Sequence, residues 1–167
     1  MTSGSAETTW LDEITVAPMA PADLDEVLVI ERHSFPSAWS KGSYERELRN
    51  RSSYYFAARH EDRLVGYIGM WVVVDEAHIT TLAVHPGCRR RGLGSHLLRL
   101  LIEHARQRGV GRVTLEVREQ NLAAISMYRT FGFQQTGVLQ GYYGDTGENG
   151  LVMWKVLARE GEGEAAS

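Results

Sequence analysis

The residues best able to do chemistry lie in two places. The first runs Leu82-Ala83-Val84-His85-Pro86-Gly87-Cys88-Arg89-Arg90-Arg91-Gly92-Leu93-Gly94 and continues into Ser95-His96-Leu97-Leu98. An apolar strand stops at a Pro-Gly turn, three arginines follow, and two glycines open a helix. A helix start of this kind leaves backbone N–H groups unpaired at the positive end of a dipole. With arginines beside it, it suits a phosphate-bearing ligand. The second place is the strand at Arg112–Arg118 and the helix after it. Val113, Leu115 and Val117 point one way along that strand, and Thr114, Glu116 and Arg118 point the other. Glu116 is therefore a carboxylate in mid-strand, which costs desolvation energy unless it is paired or solvated in a cleft. A salt bridge to Arg118 or another arginine would satisfy it equally well. Asn121 is placed to cap the following helix. Tyr128 comes two turns later on roughly the same side, and a buried tyrosine hydroxyl needs a hydrogen-bond partner.

The anion site is neither of two familiar nucleotide loops. A P-loop needs Gly-x-x-x-x-Gly-Lys-Ser/Thr, which the chain lacks. A dinucleotide fingerprint needs a third glycine where Leu97 stands. What remains is Arg89-x-x-Gly92-x-Gly94 after Val84-His85-Pro86. This resembles the Gln/Arg-x-x-Gly-x-Gly/Ala signature of the GNAT superfamily of acyl-CoA-dependent N-acetyltransferases. Leu115-Glu116-Val117-Arg118, followed by Asn121, Ala124, Tyr128 and Gly132-Phe133, is similar to one branch, the RimI group of ribosomal-protein-alanine N-acetyltransferases. Phe35-Pro36-x-x-Trp39-Ser40 and Tyr142-Tyr143 with Gly147-Glu148 fit the same group.

The resemblance implies an α/β (α+β) GNAT fold. Its centre is a mixed, mostly antiparallel sheet of about seven strands, with about four helices on both faces. It implies acetyl-CoA as co-substrate and no metal. Arg90, Arg91, Gly92, Leu93, Gly94 and Ser95 would hold the pyrophosphate, and the main chain of Leu82, Ala83 and Val84 the pantetheine arm. Asn121 would touch that arm, Glu116 would act as general base and Tyr128 as general acid. Trp39 and Tyr143 would sit near the acceptor. The acceptor implied is a protein N-terminus, the alanine of a small-subunit ribosomal protein, acetylated directly in a ternary complex. An α-amino group with a pKa of about 8 is roughly a tenth neutral at pH 7, whereas a lysine is less than about a thousandth neutral, which favours the N-terminus. The alternatives are a lysine or small-molecule amine as acceptor, a non-catalytic acetyl-CoA- or partner-binding domain, and RNA contact through the three arginines.

Other elements must position these residues. Residues 14–19 read as a strand, 21–34 as a helix with Leu24, Val27, Leu28 and Glu31 on one side, and 40–50 as a second helix capped by Ser40. Residues 54–58 and 64–74 form a hairpin, 78–84 another strand, and the helix from Leu93 stops near Gly109. A helix over 121–132 and a hairpin of 135–143 with 151–157 complete the order β-α-α-β-β-β-α-β-α-β-β. Residues 11–158 make a single domain between loose tails at 1–10 and 159–167. A net charge of −3 argues against wholesale nucleic-acid binding. A lone cysteine, Cys88, excludes an internal disulfide and fits a reducing compartment. No apolar run reaches a membrane span and no signal peptide precedes the domain, so the expectation is a cytoplasmic monomer or weak dimer without membrane contact. The six histidines show no metal-binding spacing; His78 and His85 read as structural or solvent-facing, with His78 a minor rival base. No Gly-x-Ser-x-Gly elbow is present, and Trp10, Trp71 and Trp154 read as core or edge aromatics.

Overall fold

A computed structural model describes residues 9–157. Residues 1–8 of the expected N-terminal tail, and the C-terminal tail at 159–167, lie outside the described residues. Thr9 and Trp10, assigned to the tail by sequence, instead begin a 3-10 turn, Trp10–Glu13. There the Thr9 backbone N–H and hydroxyl both donate to Asp12, at 3.0 and 3.1 Å.

The elements follow the expected order: β1 (Thr15–Pro18), α1 (Leu24–Ser34), α2 (Lys41–Arg49), β2 (Ser53–His60), β3 (Arg63–Val73), β4 (Glu76–Val84), α3 (Leu93–Gln107), β5 (Arg112–Arg118), α4 (Leu122–Thr130), β6 (Gln134–Leu139) and β7 (Gly150–Val156). The seven strands form one mixed sheet in the order β1-β2-β3-β4-β5-β7-β6. Its pairings are antiparallel except β4 with β5, which is parallel. Pro21 leads into α1 through a 3-10 turn, and the Ser40 side chain accepts the Ser43 N–H at 3.2 Å to cap α2.

Two apolar clusters flank the sheet. Leu24, Val27 and Ile30 of α1, at helical spacing, pack with Tyr44 of α2 against Tyr55, Ala57 and Tyr67. Leu93, Leu97, Leu98, Leu101 and Ala105 of α3 pack with Ile125 and Tyr128 of α4 in the other cluster. Every residue from Leu64 to Met70 is buried, so β3 is sandwiched between both. One expected element is shorter. The strand ends at Leu139 and does not reach Tyr143, because Gly141 at φ +58° turns the chain and donates its N–H to Asn149 Oδ1 at 2.9 Å. Tyr142 and Tyr143 therefore lie in the connection between β6 and β7.

The feature that makes the site is a defect in the sheet. Gly69 stands opposite Thr81 but Met70 opposite Ile79, so Thr80 is an extra residue in β4, a bulge. A bulge bends and twists its strand, and here β4 pairs with β5 only through Glu76, Ala77 and His78 against Arg112, Val113 and Thr114. Tyr55 fixes the bulge. Its ring lies across Gly69, where a Cβ would fall 2.1 Å from Tyr55 Cε1, and its hydroxyl meets Thr80 Oγ1 at 2.8 Å. Only a residue without a side chain leaves room for that ring.

Candidate active site

Past the bulge, β4 and β5 part into a cleft of about 930 Å³. That size suits a substantial small-molecule ligand. Residues 79–84 form one wall and 115–118 the other, and the start of α3, α4 and the loops at 35–39 and 142–145 close it.

At one end, residues 79–84 pair with β3 on one side and, among the described residues, with no strand on the other. Gly92 opens α3 at φ +84°, a conformation that glycine adopts without strain. The first backward bond of the helix is His96 N–H to the Gly92 carbonyl at 3.0 Å, so the N–H groups of Leu93, Gly94 and Ser95 have no helical partner. Arg90 lines the cleft there. Arg91 does not: its guanidinium lies 4.0 Å from the centre of the Trp10 ring. Arg89 braces the turn, its Nε donating to the Val84 carbonyl at 3.2 Å and its Nη2 to Ser34 Oγ at 3.3 Å. Free helix amides with a cation suit a pyrophosphate, and an unpaired strand edge suits an amide-bearing arm. The residues present thus fit acetyl-CoA. Among the described residues no group of three or more His, Cys, Asp or Glu could hold a metal ion.

Glu116, Asn121 and Tyr128 all line the same cleft. Glu116 is not salt-bridged to an arginine; its Oε2 is hydrogen-bonded to His78 Nε2. The strand register produces this contact, since His78 stands opposite Thr114 and Glu116 follows on the same face. Sequence reading weighed His78 as a rival to Glu116, whereas the fold makes it a partner. Asn121 Oδ1 accepts the Ala124 N–H at 3.2 Å, so the cap is real and coexists with a place in the cleft. Tyr128 is buried and packs edge-on against Phe133 at 5.6 Å. Its hydroxyl makes no hydrogen bond among the described residues, and burial pushes its pKa above the ordinary tyrosine value. The phenol therefore keeps its proton.

Trp39 and Tyr143 also line the cleft. Sequence reasoning missed the group that holds Trp39. Glu31, only 2% exposed, accepts the Trp39 N–H at 3.0 Å and the Tyr67 hydroxyl at 2.8 Å, and it is also hydrogen-bonded by the Tyr44 hydroxyl. The signal was present: a carboxylate shared the apolar face of α1 with Leu24, Val27 and Leu28. Tyr143 is half-buried, its pKa is pushed up to about 12 chiefly by burial, and its ring lies 4.0 Å from the Arg118 guanidinium.

Comparison with known proteins adds to this geometry. The pattern of the acetyltransferase (GNAT) family matches residues 24–133. A Bacillus subtilis (strain 168) protein, provisionally named a ribosomal protein bS18-alanine N-acetyltransferase, is 39% identical over 143 residues, 85% of this chain and 95% of its own length. The ribosomal protein bS18-alanine N-acetyltransferase of Escherichia coli (strain K12) is 33% identical over 145 residues, 83% of this chain and 95% of its own. The crystal structure of the ribosomal-protein-S18-alanine N-acetyltransferase from Escherichia coli superposes with a TM-score of 0.82 at 30% identity, covering 89% of this chain and 97% of that one.

Proposed function

The chain belongs to the GNAT acetyltransferase family, and from that premise we infer that it transfers an acetyl group from acetyl-CoA to the α-amino group of a protein N-terminus. The relatives' names point to the N-terminal alanine of ribosomal protein bS18 as the acceptor. The observation that carries the reading is the meeting, in one cleft, of a carboxylate held by His78, a protonated phenol without a hydrogen-bond partner, and an unpaired strand edge beside the start of α3.

Acetyl-CoA, when bound, supplies a thioester acyl group. The amides of Leu93, Gly94 and Ser95 with Arg90 hold its phosphates, and residues 82–84 of β4 pair with its arm. A backbone N–H of that stretch is the donor for the carbonyl oxygen as negative charge builds on it. Glu116, kept in orientation by His78, takes a proton from the incoming ammonium through water, and Tyr128 gives its proton to the departing sulfur.

An acetyltransfer assay on peptides with free N-termini, alanine among them, with N-terminally blocked lysine peptides as controls, tests the reading. Transfer to lysine or to free small amines alone would overturn it. Glu116→Gln and Tyr128→Phe are each expected to lower kcat by about 10²–10⁴, the range for loss of a general acid or base. Unchanged turnover in either variant removes that residue from the chemistry.

A further inference from the structure

Arg118 follows Glu116 by two residues and faces the same side of β5, yet the chemistry described above does not use it. Its guanidinium is the centre of the loop at 140–149. Nη2 donates to Asp145 Oδ2 at 2.8 Å and Nη1 to Asp145 Oδ1 at 3.2 Å, a two-pronged pair. Nη1 also reaches Thr146 Oγ1 at 3.1 Å and Glu148 Oε1 at 3.4 Å, and the Tyr143 ring lies 4.0 Å away. The pair is mostly sheltered, with the Arg118 and Asp145 side chains 19% and 16% exposed.

Arg118 is the side chain from another element that ties Asp145, Thr146 and Glu148 of this loop together. The loop contains Gly141, Gly144 and Gly147, and no strand pairing spans it. Its other ties are Gly147 N–H to the Tyr143 carbonyl at 2.7 Å, Tyr143 N–H to the Glu148 carbonyl at 3.2 Å and Glu119 N–H to the Asn149 carbonyl at 3.1 Å, with Gly141 N–H to Asn149 Oδ1 at 2.9 Å and local bonds among Asp145, Thr146 and Glu148. Asp145 then extends the arrangement across the cleft, because the Ser37 hydroxyl donates to its Oδ2 at 3.1 Å. The loop at 35–40 is thus tied at Ser37 to the Arg118 cluster and at Trp39 to Glu31. Both loops line the cleft, one with Trp39 and the other with Tyr143. The cluster also carries charge. One guanidinium faces the carboxylates of Asp145 and Glu148, two formal negative charges to one positive.

Given the α-amino acetyltransfer reading, we propose that Arg118 is a positioning residue that fixes the two walls of the acceptor end through Asp145 and Ser37, and so sets affinity for the N-terminal peptide without touching the reacting atoms. No side-chain hydrogen bond of Arg118 or Asp145 among the described residues reaches Glu116, His78 or residues 82–95.

Steady-state kinetics of Arg118→Ala with an alanine-initiated peptide should show the peptide KM raised about tenfold or more, with kcat and the acetyl-CoA KM within about threefold of the parent. Arg118→Lys keeps the charge but loses the planar fork, so it should recover only part of the peptide KM. Ser37→Ala, which removes the bond across the cleft, should shift it in the same direction by less. Hydrogen exchange on Arg118→Ala should be faster at the amides of 35–40 and 143–148 and unchanged in α3. Equal rises in both KM values, a fall in kcat alone, full recovery by lysine, or unaltered exchange in the two loops would overturn the proposal. If the parent protein acetylates no peptide N-terminus, the α-amino reading fails, while the exchange result still decides whether Arg118 holds the loops.

Discussion

Tyr44, Tyr55, Tyr67 and Tyr128 all have pKa values raised above the ordinary tyrosine value, in each case chiefly by burial. Tyr44 and Tyr67 are raised further by Glu31, the carboxylate to which both donate. A raised folded-state value contributes stability that is fully present below the unfolded value, about 10, and is lost as pH climbs above it, because the native chain keeps protons that the unfolded chain sheds. The fold is therefore expected to weaken above about pH 10, by about 1.4 kcal/mol per pH unit for each tyrosine involved. Chemical denaturation at a series of alkaline pH values measures that slope, and Tyr44→Phe should make it shallower. A slope that does not change with Tyr44→Phe would mean that Tyr44 titrates alike in both states. The same variant deprives Glu31 of a donor and should cost about 1–3 kcal/mol at neutral pH, the penalty for a buried acceptor losing its partner.

At the scale of elements, Gly69 and Thr80 decide the shape of the sheet. Gly69→Ala would drive a methyl group into the Tyr55 ring, with 2.1 Å between Cβ and Cε1. The expected cost is about 1–3 kcal/mol from overpacking. Displacement of Tyr55 from Thr80 should also disturb the bulge, so acetyl-CoA affinity should fall along with the denaturation midpoint. A midpoint equal to that of the parent would show that the ring moves aside freely. Here the limits of the sequence are plain. The order of strands and helices, the Ser40 and Asn121 caps and the glycine-opened helix were legible, because periodicity and capping are local properties. The cleft residues Leu82, Ala83, Val84, Glu116 and Tyr128 were legible through their motifs. The bulge was not, since a single extra residue appears only when β4 is laid against β3. The Glu116–His78 and Arg118–Asp145 contacts depend on strand register and on a loop path, respectively, so the sequence left an arginine partner for Glu116 open as an alternative. Arg91, also expected at the pyrophosphate, lies against Trp10, distant in the chain, and does not line the cleft.

For the whole molecule, the gap between β4 and β5 predicts how the protein responds to its donor. A ligand that seats along residues 82–84 and the start of α3 binds only the folded chain, and at about one hundred times its Kd should add about 2.7 kcal/mol of stability. In a chain of this size that corresponds to a rise in Tm of about 5–10 °C, readable by thermal denaturation with acetyl-CoA. An unmoved Tm at saturating concentration would mean that the cleft does not hold it. The gap also sets a limit on how the protein can change. Deletion of Thr80 would remove the extra residue of β4 and is expected to reduce the bend that parts it from β5 beyond His78 and Thr114. The expected result is a better-bonded sheet with a smaller cleft. Along this seam, variants selected for heat resistance alone and variants selected for turnover should diverge, and a screen that rewards only stability would be drawn toward closing the cleft.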